Sequence, residues 1–309
     1  MSKISIESRP IAFGFDHLYL VFEDDAGSEF VIRGGPENFG LLDSPDILDP
    51  LDPLDPVDFG NIITEINVPI NESEDARGSD TMVARGNREL DLGGRRPEDV
   101  WTIMKQQATN IQNALIDYEP IVSAQNSNST IASVLNSAGI SAGSNIPSNT
   151  EASDLPGINN LLKIDTTLVG TAANDIILGY VGNDILLGGD GDDVIDGREG
   201  NDVLRGNSGN DILRAGFGLD DLTGGEGRDI FGFYAQGHYQ IQDFNPGEDR
   251  IFFDSVQTGL NNINELNQII TDIAQSGNSV KVEFGPAASI DLIGVNFADL
   301  TVDMVGFAV

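Results

Sequence analysis

The sequence predicts a multidomain chain, an α+β domain followed by an all-β parallel β-roll, a β-solenoid closed by a β-rich C-terminal cap. Three observations predict it. A nine-residue unit recurs seven times through Gly170–Phe231; helix and strand periodicities share the first 138 residues; and a Ser/Asn/Gly/Pro-rich stretch lies between the two. The boundaries read as an α+β domain at 1–138, a linker at 139–164, the roll at 165–233 and the cap at 234–309. A chain of 309 residues has room for about two folded domains.

Residues 11–35 read as a β-hairpin. Its first strand, His17-Leu18-Tyr19-Leu20-Val21-Phe22, is apolar on both faces and so belongs in the middle of a sheet. A polar turn follows, then Glu29-Phe30-Val31-Ile32-Arg33, which Gly34-Gly35-Pro36 ends. Between 43 and 58, Asp43, Asp46, Asp49, Asp52, Asp55 and Asp58 fall at every third residue, with Pro50, Pro53 and Pro56 among them. Polyproline II has three residues per turn, so this spacing would align all six carboxylates along one edge. Such an edge could hold cations or a partner, or could be an extended, solvated acidic loop.

Ile62–Val68 reads as a further strand. Pro97–Tyr118 reads as a helix, with Pro97, Glu98 and Asp99 in its first turn and an apolar stripe through Val100, Ile103, Met104, Ala108 and Ile111. Trp101, the only tryptophan, sits beside that stripe and is expected in the core. A second helix is expected over Ser127–Ser137, opened by Asn126-Ser127-Asn128-Ser129 as cap material.

Read in nines from Gly170, the repeats are GTAANDIIL, GYVGNDILL, GGDGDDVID, GREGNDVLR, GNSGNDILR, AGFGLDDLT and GGEGRDIF. The sixth place is always aspartate: Asp175, Asp184, Asp193, Asp202, Asp211, Asp220 and Asp229. The eighth is always large and apolar: Ile177, Leu186, Ile195, Leu204, Leu213, Leu222 and Phe231. A flexible Gly/Asp linker would not keep an apolar column in phase. Glycines at the first place (Gly179, Gly188, Gly197, Gly206) and the fourth (Gly191, Gly200, Gly209) allow the strained turns of a short loop. Fifth-place Asn183, Asp192, Asn201 and Asn210 suit the same turns. Each nonapeptide then makes half a coil, so turns on one side are two repeats apart. Stacking brings aspartates and turn carbonyls into line between successive coils.

This unit resembles the RTX (repeats-in-toxin, hemolysin-type) family, whose nonapeptides bind calcium. The residues agree with that chemistry. Six to eight oxygen ligands in a flexible shell suit Ca²⁺, and the nitrogen and thiolate donors that zinc prefers are absent from the repeats. The sixth-place aspartates are the expected ligands, with the first- and fourth-place glycines and fifth-place residues supplying turn and backbone oxygens. Loops one, three, five and seven stack on one side and two, four and six on the other, leaving gaps for about five ions.

Charge points the same way. The chain has 50 acidic and 16 basic residues, a net charge of −34. Such a fold repels itself unless cations neutralise it, and nucleic acid, which needs a basic footprint, is excluded as a partner. There is no cysteine, so neither disulfides nor a thiol nucleophile is available. No apolar run reaches transmembrane length, and the N-terminal MSKISIESRPIAF lacks a secretory apolar core. The RTX resemblance implies a secreted, extracellular protein, exported by a one-step type I secretion exporter that reads the C-terminus. The tail Asp303-Met304-Val305-Gly306-Phe307-Ala308-Val309 is similar to the acid-plus-apolar end of that family, although an edge strand would read alike. Tyr239–Phe253, SVKVEF (279–284), SIDLIGV (289–295) and a helix near 262–275 are expected to seal the roll.

The order of elements in the first domain also carries a resemblance. A histidine opens a central strand, a Trp-containing helix follows, and Asn126-Ser127-Asn128 opens a later helix. That layout, over about residues 11–140, resembles circularly permuted papain-like domains of the NlpC/P60 and lecithin–retinol-acyltransferase type. The resemblance implies His17 as general base and places Ser127 where the family has cysteine. A serine hydroxyl, unlike a thiolate, must lose its proton during attack. Ser129 is an alternative nucleophile, and the residue that would orient the imidazole stays open among Glu29, Asp43 and Glu65. Two readings follow, a Ser–His hydrolase or acyltransferase, and a binding module in which Ser127 is only a helix cap.

Overall fold

A computed structural model of the protein describes residues 1–10, 16–36, 62–69, 86–114, 127–147, 150, 155, 158, 161–234 and 236–308. The chain divides into two compact units, Met1–Leu162 and Lys163–Val309. The Asp–Pro segment 43–58 lies outside the described residues.

Among the described residues the first unit is an antiparallel sheet with two helices. Its strands are β1 (Lys3–Pro10), β2 (Asp16–Glu23), β3 (Glu29–Pro36), β4 (Ile62–Pro69) and β5 (Gly86–Glu89), in the spatial order β4-β3-β2-β1-β5. Strand β2 is central because both its faces are apolar. Phe22 stacks on Trp101 at 5.5 Å between ring centroids, while neighbouring Val21 clusters with Tyr19 and Val31. Helix α1 (Pro97–Asn113) packs on β4 and on α2 (Ser127–Ser137), and α2 packs on β2 and β3. The sequence reading passed over β1, whose Ile4 and Ile6 are fully buried in alternation with Ser5 and Glu7. Glu7 is itself buried, its carboxylate accepting from Tyr19 Oη at 2.7 Å and Asn87 Nδ2 at 2.9 Å. These bonds offset the desolvation of a carboxylate. The stretch read as a linker carries buried Ile140, Ala142, Leu155, Ile158 and Leu162, and the Leu162 N–H donates to Ser133 Oγ of α2. It packs with the first unit rather than spanning open solvent.

The second unit stacks short strands in two sheets, parallel through the repeats. One sheet contains β6 (Thr167–Val169), β8 (Ile185–Asp190), β10 (Val203–Ser208) and β12 (Leu219–Glu226); the other contains β7 (Ile176–Leu178), β9 (Val194–Glu199), β11 (Ile212–Phe217) and β13 (Ile230–Phe233). Ile185 pairs with Val203 and Val203 with Asp221, so one coil takes eighteen residues, or two nonapeptides. All seven eighth-place side chains, and Leu168 before them, are fully buried. Period-2 alternation in each strand drives this column inward and leaves its neighbours at the surface.

The cap continues both sheets. Strands β14 (His238–Ile241) and β18 (Ser289–Leu292) extend the first sheet, and β15 (Arg250–Asp254) and β19 (Val305–Ala308) extend the second. Here the aliphatic column gives way to rings, with Phe233, Phe253 and Phe307 in successive contact at 5.7 and 5.9 Å. The tail is therefore an edge strand of the solenoid. The helix expected near 262–275 is shorter. After the turn α3 (Ser255–Thr258), helix α4 covers Ile263–Ile269, and Asp272–Ser276 forms β16, which pairs with β17 (Ser279–Glu283) through a turn at Gly277. No helix among the described residues is long and apolar enough to cross a membrane.

Candidate metal centre

The turns of the roll separate two jobs that the sequence reading assigned to glycine together. Fourth-place Gly182, Gly191, Gly200, Gly209, Gly218 and Gly227 all have positive φ, from 107° to 155°. So do the second-place residues from the third repeat onward, Gly189, Arg198, Asn207, Gly216 and Gly225, but not Thr171 or Tyr180. First-place glycines do not, and their need is space. A Cβ on Gly188 would come closer than 3.0 Å to both Asp193 Oδ2 and the Gly206 carbonyl oxygen. The same holds at Gly206 for Asp211 Oδ2 and the Gly224 oxygen, and at Gly179 for Asp184 Oδ2 and the Gly197 oxygen. Above the first-place glycines from Gly170 to Gly206, then, a carboxylate oxygen of the glycine's own repeat and a carbonyl oxygen of the next coil share one opening. Ala215 takes this place in the sixth repeat and is fully buried.

The sixth-place aspartates are at most 2% exposed. From Asp184 onward, one oxygen of each holds the turns in register. Asp193 Oδ1 accepts from the Asp175 N–H at 2.7 Å, Asp211 Oδ1 from Asp193 at 2.8 Å, and Asp229 Oδ1 from Asp211 at 2.9 Å. The other side repeats the pattern through Asp184, Asp202 and Asp220. The second oxygen is left over. Asp193, Asp202, Asp211, Asp220 and Asp229 each keep a buried Oδ2, and Asp175 a buried Oδ1, with no hydrogen-bond partner. A buried polar atom without a partner costs about 1–3 kcal/mol, more when charged. Six of them, of which those of Asp193, Asp202 and Asp211 share an opening with a carbonyl oxygen of the next coil, fit a hard cation.

Electrostatics agrees. Burial pushes the Asp193 and Asp202 carboxyls up to about 7, and those of Asp220 and Asp229 up to about 6, from an ordinary 3.8. Burial raises Asp184 and Asp211 as well. Among the described residues no three His, Cys, Asp or Glu side chains gather into a metal-holding cluster. Backbone carbonyls would therefore have to complete a coordination shell here, as oxygen-binding Ca²⁺ allows.

The fifth-place residues lie further out. Asn183 Oδ1 accepts from the Asn201 N–H at 2.9 Å, and Asp192 Oδ1 from the Asn210 N–H at 2.7 Å, forming an exposed ladder beside the buried one. Two members of the inner ladders were not legible in the nine-residue frame. Thr166 precedes the first repeat and donates its N–H and hydroxyl to Asp184 Oδ1. Asp249 follows the last, accepting from the Asp229 N–H at 2.9 Å. Asp249-Arg250-Ile251 keeps the acid–x–apolar signature, but twenty residues after Asp229 instead of eighteen.

Residues 165–195 and 196–231 match the family model of the RTX calcium-binding nonapeptide repeat, in four copies. Residues 165–231 are RTX repeats. They bind Ca²⁺ and wind as a parallel β-solenoid. The protein is also similar to the AlgE6R3 subunit of the Azotobacter vinelandii mannuronan C5-epimerase, at 26% identity over 46% of this chain and 78% of that one, with a TM-score of 0.30. The AlgE6R2 subunit of the same epimerase aligns at 22% identity over 47% of this chain and 91% of that one, TM-score 0.30. The extracellular lipase LipA of Serratia marcescens aligns at 19% identity over 48% of this chain and 41% of that one, TM-score 0.24. No curated protein matches the sequence.

Outside the RTX segment, His17 lies near the start of β2, paired with Arg9, and Ser127 is the first residue of α2. The side chains of both lie outside the described residues. Their neighbours meet: the Leu18 N–H donates to Asn128 Oδ1 at 3.1 Å in a buried contact. The register puts Glu29 opposite Glu23, six residues along β2 from His17, a distance of about 20 Å. Glu65 is paired with Arg33 on the strand beyond β3, and Asp43 lies outside the described residues. Ser129 is fully buried.

Proposed function

We propose that this is a secreted calcium-binding protein whose RTX repeats order when they meet extracellular Ca²⁺ after export through a type I exporter. The observation that carries the reading is the set of six buried, unpartnered carboxylate oxygens, of which those of Asp193, Asp202, Asp211 and Asp229 lie over first-place glycines. The sixth-place aspartates are the side-chain ligands, and first-place carbonyls such as those of Gly206 and Gly224 share their openings. Five first-place glycines, Gly170 to Gly206, have a carbonyl of the following coil above them, in keeping with about five ions. Calcium binds the stacked turns and scarcely the unfolded chain, so it drives folding by mass action. A far-UV circular dichroism titration should show a cooperative gain of β signal at sub-millimolar to millimolar Ca²⁺, and none with Mg²⁺. Asp193→Ala and Asp202→Ala should each move that midpoint to higher calcium, whereas replacing any one acid of 43–58 should leave it in place. Equal effects from both sets would count against the assignment.

A second reading concerns the first unit, and the Leu18–Asn128 contact favours it. That bond tethers the His17 strand to the start of the Ser127 helix, the approach a Ser–His hydrolase or acyltransferase requires. In this reading His17 is the general base and Ser127 the nucleophile. A fluorophosphonate probe should label the calcium-loaded protein, and Ser127→Ala should abolish labelling. Absence of label on the loaded wild type would leave the first unit as a binding module.

A further inference from the structure

Arg198 is out of character for its position. It occupies the second place of the fourth repeat at φ 75°, where Gly189, Gly216 and Gly225 occupy the same place in other repeats. Asn207 is the only other non-glycine with positive φ among the described residues, and asparagine tolerates that conformation. An arginine held there against its backbone preference points to a use for its side chain.

That side chain lies over the Tyr180 ring, 5.9 Å from its centroid, in a surface hollow of about 290 Å³. Arg214 repeats the arrangement one coil on, 4.5 Å over Tyr234, whose hydroxyl donates to Asp196 at 2.6 Å. Phe217 forms another wall and is 50% exposed. A second hollow of about 440 Å³ adjoins the first, and Phe217 and Glu199 line both. The result is a shallow groove in which the exposed Phe217 lies among planar charged groups and arginine-covered tyrosine rings.

We propose that this groove binds a polysaccharide strand, with a sugar ring stacked on Phe217, the wall that the two hollows share, and neighbouring hydroxyls held by Arg198, Asp196 and Glu199. The C–H faces of a sugar ring meet the negative face of an aromatic ring, while its rim of hydroxyls requires partners that both donate and accept. Arginine beside two carboxylates supplies both. Two adjoining hollows sharing one aromatic wall suit a ligand of repeating units. An apolar ligand would find too many charges in the walls.

The test is affinity gel electrophoresis of the full chain in Ca²⁺, through gels containing dextran, hydroxyethylcellulose, carboxymethylcellulose or hyaluronate. At least one polymer is expected to retard the wild type. Phe217→Ala and Arg198→Gly should weaken that retardation at least tenfold without raising the calcium midpoint of the β signal. Arg198→Gly restores the residue its backbone prefers, so a loss would not reflect misfolding. Stronger retardation by carboxymethylcellulose than by hydroxyethylcellulose would assign the arginines to a sugar carboxylate, and the reverse to hydroxyls. If no polymer retards the wild type, or both variants are retarded as strongly as it is, the proposal is overturned.

Discussion

Gly206→Ala is expected to raise the calcium midpoint at least tenfold, although it adds a single methyl group. The φ of Gly206 is not in the left-handed region, so alanine meets no backbone penalty there and should, by restricting the unfolded chain, even stabilise it slightly. The loss has to come from space. The new Cβ would lie closer than 3.0 Å to Asp211 Oδ2 and to the Gly224 carbonyl oxygen, the two oxygens that share the opening. Overpacking of this kind costs about 1–3 kcal/mol, and it also fills the volume an ion would occupy. Gly247→Ala is the control, since its Cβ would meet only Asn245 Oδ1 at 3.5 Å. Isothermal calorimetry should show fewer calcium ions bound to the Gly206 variant and an unchanged count for the Gly247 variant. An unchanged count and midpoint for both would mean that ions do not sit over the first-place glycines. Ala215 makes the argument local: the sixth repeat already has a methyl there, so its Asp220 opening is narrower from the outset.

The roll was legible because each column of the repeat has one physical task. A buried aliphatic column and a buried aspartate column cannot drift without unstacking the coil, so both survive as fixed letters. Second-place residues stayed hidden because their requirement, a positive φ, is met by Gly189, Arg198 and Asn207 alike and leaves no common letter. Thr166 and Asp249 were missed for another reason: the first substitutes a hydroxyl for the carboxylate, and the second is displaced by a two-residue insertion before β15. In the first unit, Ile4 and Ile6 alternate with Ser5 and Glu7 and could have been read as β1, whereas β5, with sequence GNRE, forms by pairing with β1 and has no apolar signal of its own. The Ser127 helix was readable from its cap and stripe. The bond from Leu18 to Asn128, which brings that helix to β2, depends on tertiary packing and had no local signature.

Acid should fold the calcium-free roll. In the folded state burial holds the Asp193 and Asp202 carboxyls up at about 7 and those of Asp220 and Asp229 at about 6, against 3.8 in an exposed chain. Between those values the folded roll binds more protons than the unfolded one, so its stability falls as pH rises. The stabilisation is fully present below about pH 4 and is lost through pH 6–7. Calcium reverses the sign. Ion binding requires the charged carboxylates, so affinity should weaken as pH falls through the same window. Protein stripped of calcium by gel filtration should therefore gain β signal between pH 7.5 and 5, while its calcium midpoint rises. General relief of the −34 charge also favours compaction in acid, and an isosteric variant separates the two effects. Asp193→Asn with Asp202→Asn leaves other charges in place and makes two buried side chains neutral at every pH. That variant should show more β signal than wild type at pH 7.5 without calcium, a smaller gain on acidification, and fewer ions bound. If it responds to acid as fully as the wild type, the titration belongs to the surface charge and not to the ligand column.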